Sequence, residues 1–493
     1  MTDAKETLTA IIREEKAVYP MEAPFHPDTA YPEYDFAPQQ LSPRNDAYRL
    51  VRETLRELQL DAENFNTPAW NPFGEFIRPG HKVVIKPNLV QDRHYRGGDI
   101  NCLITHGSIT RAVMDYVFKA LKGRGEIILG DAPVLSTRFD KAVTCARLDE
   151  VIRFYREKAQ PELRVFDFRK VAGALDERFH VTGWVEQEGD PSGTVEFNLG
   201  NQSMLHPIGH LAHLYRLPHY RHGDTDPYHN ESINRFVVPR SIVTADVIIN
   251  LPKMKTHCKA GLTAALKNFV GIVAVRHCYT NYRRGSPAHN GDEYPSPSLI
   301  KTISDILERA IDGNGTPIIR PLLALLHRIN ERIRVTLGID NIRDGAWHGN
   351  DTVWRAILDL VRIARYGTAE GKLADTPKRA LFTLCDGIIA GEGEGPLEAR
   401  AKQVGCIIAS LNPVAVDAAT ATLMHYDWQK IPTILNAERL THWPLIPGQL
   451  AKVTCRWNNS EHPLPELPEL NICPPFEPAY GWIGHIELDA TSS

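Results

Sequence analysis

Five short apolar runs in this chain end in the same way, and that repetition constrains the fold more than any other feature. Val83 to Ile85 leads into Lys86-Pro87-Asn88, and Glu126 to Leu129 leads into Gly130-Asp131. Val247 to Leu251 leads into Lys253, Lys255 and His257, Leu381 to Leu384 into Cys385-Asp386, and Val404 to Ser410 into Asn412. Apolar runs of this length without alternation are those of strands buried on both faces. Between the first two lies Ser108 to Leu121, with Ile109, Ala112, Val113, Tyr116 and Val117 at helical spacing. Strand, helix, strand predicts a parallel pair with a right-handed crossover. The expected fold class is therefore α/β: a mostly parallel sheet flanked by helices. Ligands bind such sheets beyond the carboxyl ends of the strands, so the five polar tips are expected to meet at one rim.

The richest tip lies between Asp246 and Arg284, where seven lysines and arginines face a single aspartate in a protein of formal net charge −4. Pro252 has no N–H for a ladder and should interrupt the pairing. An extended chain beyond it puts Lys253, Lys255, His257 and Lys259 on one side. From Gly261 the spacing of Leu262, Ala265, Leu266, Phe269, Val270 and Val273 predicts an amphipathic helix, with Lys267 and Asn268 in its second turn. A cationic loop feeding a helix N-terminus suits an anion, since lysines, backbone donors and the dipole act together. A solvated basic loop is the plainer alternative.

The remaining chain suggests three regions. Residues 1–75 read as an N-terminal arm with helices, over about 1–15 and near 43–58; residues 76–440 as the main α/β domain; residues 441–493 as a Pro-rich tail packed on it. An insertion over about 156–240 is expected to form an antiparallel layer, from strands near 164–168 and 194–199. The six histidines of 206–229 lack an HExxH frame and read as a substrate-facing or solvated loop. Further on, Leu299, Ile300, Ile303, Ile306 and Leu307 align on one helix, 316–330 predicts a second, and 335–339 and 470–472 read as strands. No window reaches a membrane span of roughly 18 apolar residues, and the N-terminus lacks a signal-peptide core. Cytoplasmic residence is expected. Eight cysteines without CxxC spacing argue against an iron–sulfur cluster or a zinc ribbon. Near-neutral charge gives no reason to expect a nucleic-acid partner.

Several standard chemistries are excluded. There is no Walker A loop, no GxGxxG after a strand and no GxSxG elbow. What remains is a set of charges at strand ends. Lys86, Asn88, His106, Lys253, Lys267 and Asn268 are candidates to bind substrate, the lysines as point charges for phosphate or carboxylate oxygens. Lys255, His257 and Asp131 are candidate catalytic groups, His257 by its titration range. Asp131, Asp386, Glu392 and Glu394 are hard oxygen donors suited to a divalent cation, Mg²⁺ above all. Gly391 to Pro396 also reads as a flexible turn with solvated glutamates, and Asp417 as a helix cap.

Read together, the motifs resemble the domain-of-unknown-function family 362. The matching pieces are Lys86-Pro87-Asn88, Thr105-His106, Gly130 to Pro133, Leu251 to His257 (LPKMKTH), Leu266-Lys267-Asn268, Asp386 to Ile388, Gly391 to Pro396 (GEGEGP) and Asn412 to Asp417 (NPVAVD). They run in order over roughly residues 80–430. The resemblance implies one α/β domain and a shared polar site, with the substrate open. Some members carry ferredoxin-type cysteine clusters or export signals; neither pattern occurs here. The expected function is an enzyme acting on an anionic small molecule, phosphorylated or carboxylated, with a divalent cation, by transfer or ligation. The alternative is a non-catalytic binding or redox-accessory protein using the same pocket. No membrane partner is expected, and a homo-oligomer is compatible with the sequence.

Overall fold

The computed structural model describes residues 3–36, 41–158, 160–175, 181–217, 224–312, 319–339 and 342–488. Eleven strands form its main sheet: β1 Thr9–Arg13, β2 Lys82–Pro87, β3 Glu126–Asp131, β4 Glu162–Asp167, β5 Val247–Leu251 and β6 Lys253–His257. They continue with β7 Gly261–Thr263, β8 Ala380–Glu392, β9 Arg400–Ser410, β10 Thr454–Trp457 and β11 Ser460–Pro463. The spatial order is β11-β10-β1-β9-β8-β5-β2-β3-β4, with β6 paired to β8 and β7 to β6. The run β8-β5-β2-β3-β4 is parallel throughout; β9 is antiparallel to both β8 and β1.

The apolar runs lack alternation because both faces of the sheet are covered. Val83, Ile85, Val247, Ile249 and Phe382 point into one core, while Val84, Ile248 and Leu381 point into the other. The first core is closed by helices α1 Asp46–Glu57 and α2 Gly107–Leu121, which bury Leu50, Val51, Ile109 and Val113 there. Four longer helices follow a short one: α3 Ala265–Asn268, then α4 Leu299–Asp312, α5 Ile319–Thr336, α6 Val353–Tyr366 and α7 Pro413–Leu423. Of these, α6 and α7 close the second core through Ile357, Val361, Val414 and Ala418. The expected α/β class is found, as is antiparallel material in the insertion, where 171–175 pairs with 181–186 and 194–198 with 235–239; the strand expected there near 164–168 is instead β4, a parallel edge of the main sheet.

Four local expectations change. Residues 9–13 are a strand rather than helix, because the backbone of Thr9–Arg13 pairs residue for residue with Cys406 to Ser410 of β9. Gly261 opens no long helix: β6 turns back on β7 as a hairpin, Gly261 taking φ +75, and only four α-helical residues follow. Apolar residues there are buried on every side, so helical spacing could not discriminate. Residues 335–336 end α5 instead of starting a strand, and the tail forms β10 and β11 with a 3₁₀ turn at Leu464–Leu470.

Candidate functional site

Three of the five polar tips meet. Beyond the carboxyl ends of the parallel strands lies a cavity of about 1100 Å³, lined by Asn88 after β2, Asp131 at the end of β3, Lys255 and His257 of β6, Lys267 and Asn268 of α3, and Glu394 after β8. Two stay outside: Asp386 is enclosed within β8 by Lys253 and Tyr19, and Asn412 follows β9, which runs antiparallel and so ends at the opposite rim. The Asn412 side-chain oxygen caps α7 by accepting from Val414 and Ala415, and its amide donates to Leu445.

β6 is what directs cations into the cavity. Pro252 breaks the chain for one residue, after which Lys253–His257 re-pairs alongside β8, with Lys253 opposite Asp386 and Lys255 opposite Gly391. Gly391 leaves no room for a side chain there, since a Cβ would come within 3.0 Å of that of Lys255. Lys255 is fully buried, and its ammonium donates to the carbonyls of Leu103 at 2.6 Å and Pro396 at 3.2 Å. Among the described residues it has no carboxylate within ion-pair reach. Lys267, half-buried on α3, has its nearest hydrogen-bond partner in the Tyr279 hydroxyl at 3.4 Å. Burial, reinforced for Lys255 by Lys253 and Lys86 and for Lys267 by Arg276, Lys255 and Lys259, draws both ammonium groups down to about 7. Two lysines that hold their charge so weakly are stabilised by whatever anion enters between them.

His257 behaves differently from its unperturbed titration range. Its Nδ1 accepts the backbone N–H groups of Lys259 at 3.0 Å and Ala260 at 3.2 Å. Burial and the three neighbouring lysines push its pKa well below 6.5. The ring is therefore neutral with its proton on Nε2, which makes it a hydrogen-bond donor to an anion rather than a base.

Asp131 lines the cavity, but its carboxylate is engaged. It ion-pairs with Lys86 at 2.8 Å and accepts the N–H groups of Leu89 at 2.7 Å and Ala132 at 2.9 Å. Lys86 is thus spent neutralising Asp131. Asn268 braces two strands, donating to Asn250 and to the Lys86 carbonyl. Asn88 accepts from Val90 and faces the cavity.

Lys253 and His106 do not reach the cavity. Lys253, Asp386 and Tyr19 form a sealed triangle: Lys253 Nζ lies 3.0 Å from Asp386 Oδ2 and 2.6 Å from the Tyr19 hydroxyl, which donates to Asp386 Oδ1 at 2.6 Å. The His106 N–H completes Asp386 at 3.1 Å, and its ring stacks on Tyr19 at 4.2 Å. This brace ties the N-terminal arm to β6 and β8. The four carboxylates expected to hold a metal are accordingly dispersed. Asp131 pairs with Lys86, Asp386 with Lys253, Glu392 with Lys402 at 2.7 Å, and Glu394 accepts the Tyr480 N–H at 2.6 Å. No group of three or more metal-ligating side chains occurs among the described residues. Of the six histidines of 206–229, His219 and His222 lie outside the described residues, and His229 is buried against the Cys278 carbonyl. Asp417 is a cap, though for another helix: it accepts from Ala265 and Leu266 at the start of α3, holding Lys267 in place from below.

Sequence reasoning placed Lys259 and Arg276 in the basic stretch without giving them a role and passed over Tyr279, Arg93 and His94; all five line the cavity. Lys259 carried a signal, the alternation with Lys255 and His257. Arg93 and His94 sit in an irregular loop and carried none.

Residues 207–422 match the family described as domain of unknown function (DUF362). That span holds β5 to β9 and the lysine-bearing segment, while the motifs around Lys86 and Asp131 precede it. The thylakoid-associated protein sll1697 of Synechocystis is 22% identical over 369 residues, which is 74% of this chain and 70% of that protein. A crystal structure of a Thermotoga maritima protein aligns over 76% of this chain and 58% of its own, at 11% identity and a TM-score of 0.32. No helix among the described residues is long and apolar enough to cross a membrane.

Proposed function

We propose, for a chain that carries a DUF362 domain over residues 207–422, that it is an enzyme acting on an anionic small molecule held in the cavity beyond β6. The observation that carries this reading is the pair Lys255 and Lys267, both facing the cavity with no carboxylate in ion-pair reach among the described residues. A phosphate or carboxylate group supplies the missing charge, with His257 Nε2–H as a neutral donor beside it. Lys255, held between two carbonyls with its remaining valence toward the cavity, is the group suited to move a proton or to attack an electrophile. Several cations around one space suit two anionic reactants, which favours transfer or ligation over hydrolysis. A divalent cation would arrive on the substrate's phosphate oxygens, with Glu394 and Glu398 the cavity's exposed or half-exposed carboxylates. The cytoplasm, where phosphorylated metabolites are plentiful, is the compartment this reading supposes. The relative's name places that protein at thylakoids, and association with a membrane surface is compatible with the same chemistry.

The test is a thermal-shift screen of phosphorylated and carboxylated metabolites, with and without Mg²⁺, on the wild type and on Lys255→Met. One or more compounds should raise the melting temperature by a few degrees in the wild type and not in the variant. A flat wild-type screen would overturn the reading. A compound that binds and is never turned over would assign the cavity to a binding protein instead.

A further inference from the structure

The helical hairpin α4–α5 is polar where its helices meet and apolar where they face away. On the inside, the Asn330 amide donates to the Ile300 carbonyl and to the Ser304 hydroxyl, both at 2.8 Å. Ser304 donates to Glu331 at 2.9 Å, and Glu331 pairs with Arg334 at 3.0 Å. On the outside, Leu299 of α4 is 83% exposed and Ile306 57%. Along α5, Leu322, Leu326, Ile329 and Ile333 fall at spacings of three and four and are all exposed, Leu322 to 56%. A helix in water shows the opposite arrangement, and a monomer rarely leaves so long an apolar row open.

The charges on this face identify what covers it. Arg309, Arg328 and Arg332 are exposed alongside the row, while Glu331, the only acidic residue of α5, is turned inward to Ser304 and Arg334. A second copy laid on this face would set its exposed arginines against one another, and the exposed carboxylate beside them, Glu308, is already engaged by His327 at 3.2 Å. An anionic lipid surface satisfies both features at once, since acyl chains take the isoleucines and leucines and headgroup phosphates take the arginines. We propose that α4–α5 is a membrane-docking element, lying in the interface of an anionic bilayer without spanning it. This departs from the sequence-based expectation of no membrane partner, and it is independent of what the cavity holds.

Flotation of the full chain with vesicles tests the proposal. The wild type should float with phosphatidylcholine–phosphatidylglycerol vesicles and bind phosphatidylcholine vesicles at least about tenfold more weakly. Leu322→Asn with Ile329→Asn exchanges exposed side chains, so the protein should stay folded by circular dichroism and lose binding about tenfold or more. Arg328→Gln with Arg332→Gln should lose the preference for anionic lipid. Absence of flotation by the wild type at low salt would overturn the proposal, as would flotation unaffected by Leu322→Asn with Ile329→Asn. A lipid-free dimer by analytical ultracentrifugation that this same variant dissolves would also overturn it, giving the face to a second copy.

Discussion

At the scale of single residues, alternate positions of one short strand serve opposite ends. Lys253 and Lys255 are two residues apart on β6, yet the first closes a sealed brace and the second faces a cavity. The brace is held by compensation. Burying a lysine and an aspartate is costly, and the pair persists because Tyr19 and the His106 N–H satisfy what remains of Asp386. Lys253→Met strands Asp386 in the interior and should cost about 3–5 kcal/mol in chemical denaturation. Lys253→Met combined with Asp386→Asn removes the stranded charge while keeping an acceptor for Tyr19, and should recover at least half of that loss. A single variant as stable as the wild type would show that the triangle is not closed. Its place beyond a buried strand marked Lys253 as a substrate ligand, and the family motif Thr105-His106 marked His106. Their real partner, Tyr19, lies in an arm whose Pro, Tyr and Asp composition gave no hint that it reaches the sheet.

At the scale of elements, the site depends on how closely α3 and the turn after it approach the strand ends. Asp417 on α7 accepts the first N–H groups of α3, so α7 sets the height at which Lys267 is presented. Gly271, in the next turn, lies directly over the Lys86–Asp131 pair, and a methyl there would overlap the Asp131 carboxylate and sit 2.5 Å from Lys86 Nζ. Gly271→Ala should therefore lower stability by about 2–3 kcal/mol and weaken anion binding. Gly183→Ala, whose nearest new neighbour is 3.9 Å away, should do neither. Equal effects from the two would refute the close approach. Strands and their polar tips were legible in the sequence because buried parallel strands leave an unmistakable run of apolar residues. The β6–β7 hairpin was not, since burial on every side erases the period that separates strand from helix.

At the scale of the whole molecule, two inversions of the usual pattern stand apart on one fold. The cavity holds cations where a protein interior ordinarily pairs them, and the hairpin exposes apolar rows that an ordinary surface hides. The α4 row was visible as a periodic pattern, but periodicity states which residues share a face and not whether that face is covered. For the cavity, three strand tips identified it from the sequence, whereas the dispersal of the expected carboxylates needed the three-dimensional partners of Asp131, Asp386, Glu392 and Glu394. What distinguishes an anion site from a merely basic loop is the state of the two lysines. Each binds its proton less tightly in the folded chain than the ordinary value of 10.5, so an anion that restores the charge must take up protons. Its affinity then falls as pH rises through about 7, by about tenfold per pH unit for each lysine that loses its proton. The direct measurement is magnetic resonance of isotope-labelled lysine side chains across pH, with and without inorganic pyrophosphate. Two signals should titrate near 7, disappear one each in Lys255→Met and Lys267→Met, and move to higher pH with pyrophosphate bound; lysines that all titrate near 10.5 and ignore pyrophosphate would contradict the account.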